Sequence, residues 1–355
     1  MKYFNEIFID KTKYGVKIQT GEYGKQGKHI IVDQGQNQIA GYTDREDGLF
    51  EEVPVIIFGD HTRVIKYIDQ PFFLGADGVK VLRSKDGNTD YKYLYYALKN
   101  VKIPNTGYNR HFKWLKESKI EYPDIKEQRK IVRILDKVSD IIQNRKRELS
   151  QLDDLVRARF VEMFGDENNS KNWNVVNVED VADVQVGVVI KPSQYYTDES
   201  EGVRAFRSLN IGAGFIKDID WVYFTKEGHL KNSKSILKEN DLLIVRSGAP
   251  GTACVVTEEY AGCNAVDIII AHPDCEKVNP YYLCTFTNMP HGKKQIDEGI
   301  GGAAQQHFNV GKYNKLQLML PPKTLQDEFG DFINQVDKSK LQYHPHTHTC
   351  QPNTS

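Results

Sequence analysis

Pro123-Asp124-Ile125-Lys126-Glu127-Gln128 and Pro321-Pro322-Lys323-Thr324-Leu325-Gln326 are two renderings of one phrase: a proline, a glutamine five residues later, then apolar residues at helical spacing. The prolines lie 198 residues apart (321 less 123), and the same offset sets Gln128 on Gln326, Leu135 on Ile333 and Val138 on Val336. Outward from the phrase the match continues. His111-Phe112 precedes the first copy and His307-Phe308 the second, with a two-residue gap, and further upstream lie Tyr91-Lys92-Tyr93-Leu94-Tyr95-Tyr96 and Pro280-Tyr281-Tyr282-Leu283. A repeat this long is a duplicated domain, not a solenoid unit of roughly 20 to 50 residues. The chain reads as globule, helix, globule, helix.

After Pro123 the apolar residues Ile131, Leu135, Val138, Ile142, Leu149, Leu152, Val156 and Met163 step by four and three, except where Arg145 takes one seam position and near Phe160. That is a heptad seam, and proline is tolerated where such a helix starts. About 40 residues at 1.5 Å each give a rod of roughly 60 Å. Its charges, mixed in sign, read as a solvated face. A rod with one apolar seam needs a partner, and Leu325, Phe329, Phe332 (or Ile333) and Val336 repeat the four-three-four spacing. The expectation is two helices packed as an antiparallel coiled coil, with the globules related by a pseudo-twofold axis. The domains expected are 1–122 (first globule), 123–166 (central helix), 167–320 (second globule), 321–340 (short second helix) and 341–355 (disordered tail).

The globules read as mixed α/β (α+β). Strand-like runs are Val53–Phe58 and Gly78–Leu82 in the first, and Asn174–Val178, Trp221–Phe224, Asp241–Arg246 and Ala265–Ile270 in the second, separated by Gly, Pro, Asn and Asp turn signals. Short helices are expected over Tyr91–Leu98 and Pro280–Thr287. The 355 residues suffice for two domains with real cores, and 39% hydrophobic with 27% charged residues are ordinary for a soluble chain. No apolar run approaches the roughly 20 residues of a membrane span, and the first residues lack a signal-peptide pattern. A cytoplasmic protein with no membrane attachment is expected. The five cysteines include no Cys-x-x-Cys pair and read as small buried hydrophobes. A net charge of -1 argues against nucleic-acid binding only weakly, because it averages over faces.

These residues resemble the specificity subunits of Type I restriction-modification systems. The resemblance rests on the Pro-x-x-x-x-Gln turn leading into a heptad helix after a target-recognition domain, the whole present twice. Trp173-Asn174, Asp180-Val181-Ala182-Asp183, Gly187, Arg207-Ser208-Leu209-Asn210-Ile211 and Asp241 to Gly251 also look like the family, as do Gly24 to Tyr42 and Phe58 to Phe73. It covers residues 10 to 340. Two features depart from the pattern: the first globule lacks the leading Trp-containing strand, and the second helix is half the length of the first. The latter reads as a truncated or rearranged gene end. The resemblance implies two non-identical target-recognition domains, each reading half of a bipartite site in double-stranded DNA from the major groove, with the helices fixing the spacer. It further implies two methyltransferase subunits that carry S-adenosylmethionine, motor-nuclease subunits for cleavage, and no catalytic activity or cofactor in this chain.

A search for catalytic motifs agrees. There is no Asn/Asp-Pro-Pro-Tyr, no phosphate-binding loop and no His-Glu-x-x-His. Gly299-Ile300-Gly301-Gly302-Ala303 reads as a flexible turn, His344-x-His346-x-His348 as part of the tail, and no metal is expected. Base reading needs forked donors and acceptors on turns beside small residues. The first globule offers Lys25, Lys28, His29, Gln36, Asn37, Arg45, His61 and Arg63, with Gln26, Gln34 and Gln38 nearby; the second offers Lys191, Arg204, Arg207, Arg246, Ser247, Gln305 and Gln306, with Asn210 nearby. Two other readings stay open: a recognition subunit of another restriction class with the same plan, and a coiled-coil protein-interaction scaffold.

Overall fold

The computed structural model describes residues 1–75, 77–107, 109–300 and 308–343. Contacts divide the chain into two units, one from Met1 to Asn144 and one from Arg145 onward. In the first, strands Phe8–Asp10, Val79–Ser84, Val55–Gly59 and Ile65–Ile68 lie in that order in an antiparallel sheet. A second sheet places His29–Val32 between Gly41–Thr43 and Phe72–Leu74, the last pair parallel. Successive strand residues point to opposite faces, so the four-stranded sheet feeds two cores. Ile56, Phe58 and Leu82 pack with Leu94 and Leu98 of helix Tyr91–Lys99 on one side. Val55, Ile57, Val79 and Val81 pack with Ile30, Val32, Phe72 and Leu74 of the second sheet on the other. Being covered on both faces is why Val55-Ile56-Ile57-Phe58 is an unbroken apolar run rather than an alternating one.

The second unit repeats the plan with different residues. Its antiparallel sheet runs Ala182–Val186, Ile268–Pro273, Leu242–Val245, Ala253–Val255, and its other sheet runs Tyr196–Thr197, Val222–Phe224, Val203–Phe206, Asn264–Ala265, again with one parallel pair at the end. Leu242 and Ile244 face the helical core, and Leu243 and Val245 face the sheet core. The run Ala265–Ile270, expected as one strand, is two: Asn264–Ala265 belongs to one sheet and Ile268–Pro273 to the other, and the chain crosses between them at Asp267 with φ +49°. Gly299, expected in a flexible turn, lies in helix Pro290–Ile300, while residues 301–307 are outside the described residues. Cys254, Cys263 and Cys284 are buried free thiols and Cys275 is exposed; burial pushes the Cys284 thiol up to about 12. Among the described residues no helix is long and apolar enough to cross a membrane.

The repeated phrase proves to be a latch. Gln128 and Gln326 are both buried. The Gln128 amide donates to the Pro123 carbonyl (2.9 Å), and its oxygen accepts from the backbone N–H of Asp90 (3.0 Å), the residue capping helix Tyr91–Lys99. Gln326 does the same, donating to the Pro321 carbonyl (2.9 Å) and accepting from the N–H of Asn279 (2.9 Å), the cap of helix Pro280–Asn288. Each glutamine thus ties the start of its long helix to the start of the preceding short one, satisfying backbone groups that helix ends leave open.

The long helix is continuous from Ile125 to Phe164, 40 residues. Asp124 caps it through the N–H groups of Lys126 and Glu127, and Gly165 at φ +89° ends it. It is shared between the units rather than forming a separate piece: Gln128 and Val132 are buried in the first, Phe160 and Phe164 in the second. The second helix, Lys323–Tyr343, has 21 residues, so 341–343 continue it instead of beginning the tail; the rest of the expected tail, with His344, His346, His348 and Cys350, is outside the described residues. It runs antiparallel to the end of the long helix: Phe329 meets Phe160 and Phe164, while Lys340 further on pairs with the earlier Asp153 (2.8 Å). Phe329, Ile333 and Val336 are buried, and Leu325, Leu149, Leu152 and Val156 are half-buried. Ile131 and Leu135 are half-buried too, but Val138 and Ile142, expected in the seam, are 46% and 49% exposed. The physical reason is local: the first unit's core takes up the helix only through Ile131 and Val132, and neither Val138 nor Ile142 packs against it.

Asp337 stands half-exposed on the second helix, 3.6 Å from Lys340, and its partial burial raises its carboxyl pKa against the pull of Lys340. A raised folded-state pKa means that the folded chain holds the proton more tightly than the unfolded one. The destabilisation is therefore fully present above the folded pKa and is relieved as pH falls through it toward the unfolded value. Asp337→Asn is expected to stabilise the second unit at pH 7 and to flatten that pH dependence, read by urea denaturation at pH 7 and pH 5.

Candidate nucleic-acid interface

In the first unit, four loops converge beyond one end of the sheets. The Gln34 side chain accepts from the N–H of His61 (3.1 Å) and donates to the Asp77 carbonyl (2.9 Å), and the Thr62 hydroxyl donates to the Gln34 carbonyl. Asp60, the residue after strand Val55–Gly59, accepts from the N–H groups of His111 (2.7 Å) and Phe112 (2.8 Å). The buried Lys66 ammonium donates to the Asn37 carbonyl (2.6 Å) and lies 3.4 Å from the Asp33 carboxylate; burial lowers its pKa against the attraction of Asp33. Lys66 therefore pins the Asp33–Ala40 loop from beneath. Gln36 and Asn37 stand exposed on it, and His61 and Arg63 sit half-buried beside it. Arg63 adopts φ +61° and donates to the Ile103 carbonyl (3.3 Å).

The other candidates of this unit gather at the opposite end of strand His29–Val32. Lys28 (2.8 Å) and His29 (3.3 Å) share Glu46, which raises the lysine pKa mainly through the hydrogen bond between them. Arg45 donates to the Asp47 carbonyl, and Lys25 is exposed on the preceding bend. This patch is mixed in sign, whereas the loop cluster presents amide side chains. Four strand residues at about 3.3 Å separate the two by roughly 10 Å.

In the second unit the matching positions carry other side chains. The N–H of Gly75 donates to the Val32 carbonyl in the first unit as that of Val266 does to Phe206 in the second, both at 2.8 Å. Asp33 and Arg207 follow those matched strands, as Asp60 and Arg246 follow the matched central strands, so two acids of one unit stand where the other has two arginines. Arg246 pairs with Asp267 and donates to the Phe308 carbonyl (3.3 Å), while the N–H of Phe308 donates back to Arg246 (3.0 Å). Arg207 pairs with Asp220 (3.0 Å). The buried Asn210 amide is structural: it accepts from the N–H of Arg207 and donates to the Ile219 carbonyl, closing that loop. Ser247 opens a turn with Gly248 at φ +83°, held by Lys293, whose ammonium donates to the Pro250 carbonyl (3.2 Å).

Gly187 is required by close approach, since a Cβ there would stand 2.3 Å from the Ala265 carbonyl oxygen. Beyond it, the N–H of Asp267 donates to the Val188 carbonyl, bringing the loop with Lys191 beside the Arg246–Asp267 pair. Arg207, Arg246, Ser247 and Lys191 thus lie on neighbouring loops, but Arg204 faces another way, its guanidinium over the Trp221 ring at 5.6 Å. Gln305 and Gln306 are outside the described residues. Reasoning from polar side chains alone missed Ile190, 80% exposed next to Lys191; an apolar side chain on such a loop can meet a thymine methyl group. It also missed Asp267 and Asp60, for which no local pattern exists.

A family model described as Type I restriction modification DNA specificity domain matches residues 4–153 and again 170–346. The chain is 25% identical over 247 residues to a Type I restriction enzyme specificity subunit of Escherichia coli, covering 66% of this chain and 60% of that protein. It is 21% identical over 285 residues to one of Methanocaldococcus jannaschii, covering 72% of this chain and 64% of that protein. It therefore spans less than two thirds of either relative. The crystal structure of a Type I restriction-modification system S subunit from M. genitalium superposes with a TM-score of 0.59 at 18% identity, over 96% of this chain and 90% of that one, which shows the same fold.

Proposed function

We propose, because this chain belongs to the Type I restriction modification DNA specificity domain family, that it is the sequence-reading subunit of such a complex. Each unit reads one half of a bipartite site in double-stranded DNA through its converging loops. The observation that carries this is the pair of like-built loop clusters with unlike side chains. One fold holds Asp33 and Asp60 with Gln36 and Asn37 nearby, and the other holds Arg207 and Arg246 at the positions of the acids. Amide forks suit adenine and guanidinium forks suit guanine, so the half-sites differ. The chain itself carries out no chemistry. Two methyltransferase subunits bring S-adenosylmethionine and flip the target base, motor-nuclease subunits join for cleavage, and the complex works on cytoplasmic DNA.

The long helix joining the units is the ruler in this reading. Long-read mapping of methyladenine in cells carrying this gene with a methyltransferase gene, against a deletion, is expected to show a split motif only with the intact gene. Inserting four residues after Gln143, in the exposed middle of the helix, adds about 6 Å. At 3.4 Å per base pair the unread spacer is expected to grow by one or two pairs with both half-sites unchanged. A motif identical to that of the parent would sink the ruler, and no motif in either strain would sink the proposal.

A further inference from the structure

The two units hold their matched loops by different devices. In the first, Lys66 stands opposite Ile57 on the neighbouring strand, on the face that Ile57 and Ile68 turn toward the sheet core. Its side chain is 2% exposed, and its ammonium ends on loop 33–40, 2.6 Å from the Asn37 carbonyl and 3.4 Å from the Asp33 carboxylate. In the second unit the matching strand position, opposite Leu243, is the fully buried Cys254. There the tie comes from within the loop: Asn210 accepts from the N–H of Arg207 (2.9 Å) and donates to the Ile219 carbonyl (2.6 Å). A buried ammonium is costly unless it is paired and hydrogen-bonded. A lysine at a strand position that the other unit fills with a neutral side chain therefore marks a demand made by the loop it reaches, not by the sheet.

Loop 33–40 carries four amide side chains, and its ties divide them into two pairs. Gln34 is engaged by the His61 N–H and the Asp77 carbonyl, and Gln38 donates to the Tyr67 carbonyl (2.7 Å), next to Lys66 in the strand. Gln36 and Asn37 stay exposed between them. The Asp33 carboxylate also accepts from the Gly35 N–H (2.8 Å), so the backbone is fixed just before Gln36, and Lys66 fixes it at Asn37. On the basis that the converging loops read DNA, we propose that Gln36 and Asn37 are the adenine-reading pair of the first unit and that Lys66 is their positioning residue. Lys66 sets where the two amide forks stand and does not itself meet DNA. An amide fork selects adenine only when its oxygen and nitrogen line up with N6 and N7 of the base. A carbonyl held from beneath by a side chain of the rigid sheet supplies that alignment.

The test uses cells carrying this gene with a methyltransferase gene, with methyladenine mapped by long reads and the methylated fraction scored for every base at each position of both half-sites. Gln36→Ala and Asn37→Ala, on exposed residues, are expected to lower the preference for adenine at their positions about tenfold, the discrimination of one bidentate pair. They also identify which half-site the first unit reads. Lys66→Met, which keeps the length of the side chain and removes its charge, is expected to relax the same positions by a similar factor and to leave the other half-site unchanged. Ile57→Val, opposite Lys66 in the same core, is the control for lost packing, expected to lower the urea midpoint and to leave both half-sites as in the parent. A first half-site unchanged by Lys66→Met, loss of all methylation, or a relaxation that Ile57→Val reproduces would overturn the role of Lys66. Gln36→Ala and Asn37→Ala without effect would overturn the choice of readers. No motif with the parent chain would sink the reading of the loops and the proposal with it, an outcome visible before any variant is made.

Discussion

Replacing Gln326 with leucine is expected to destabilise the second unit by about 2–6 kcal/mol, because the change keeps the shape and strands two buried backbone groups at about 1–3 kcal/mol each. The groups are the N–H of Asn279 and the carbonyl of Pro321, both held at 2.9 Å by the one amide. Gln128→Leu is expected to cost the first unit a similar amount, since it strands the N–H of Asp90 and the carbonyl of Pro123 and also frees the Thr89 hydroxyl. The two losses should add, because the sites share no partner. Urea denaturation of both single variants and the double would show this, and a loss below about 0.5 kcal/mol in either single variant would mean that water reaches the stranded groups. Glutamine can read adenine in a groove, so the repeat alone leaves both uses open. Burial of the two side chains assigns them to the fold, and neither belongs among base-reading residues.

What the sequence made legible was whatever repeats or alternates. The duplicated phrase located both helix starts, and Val55-Ile56-Ile57-Phe58 and Leu242-Leu243-Ile244-Val245 announced central strands by being apolar throughout. Side-chain partnerships across long separations were not legible. Arg246 finds Asp267 and Phe308, and Asp60 finds His111 and Phe112, only because strands and loops distant in sequence end at one place. Asn210 and Gln34 looked like base readers and serve as loop ties, since nothing in an amide's local sequence says whether its partner is a base edge or a carbonyl. The heptad seam misled at Val138 and Ile142 for a related reason: periodicity shows that a face is apolar, and says nothing about whether another side chain covers it.

That gap between pattern and partner can be measured at matched positions. Phe329→Ala is expected to destabilise the second unit by about 3–5 kcal/mol, the range for emptying a fully buried aromatic site. The ring touches Phe160, Phe164 and Phe332, all held within a rigid helix pair with little room to collapse. Ile131→Ala, at the same point of the repeat, is expected to cost the first unit only about 1 kcal/mol, because its side chain borders an open groove and much of what it would lose is already solvated. Volume alone would predict a smaller ratio. If the two variants lose similar amounts, Ile131 is covered in solution and the groove is closed in the isolated chain.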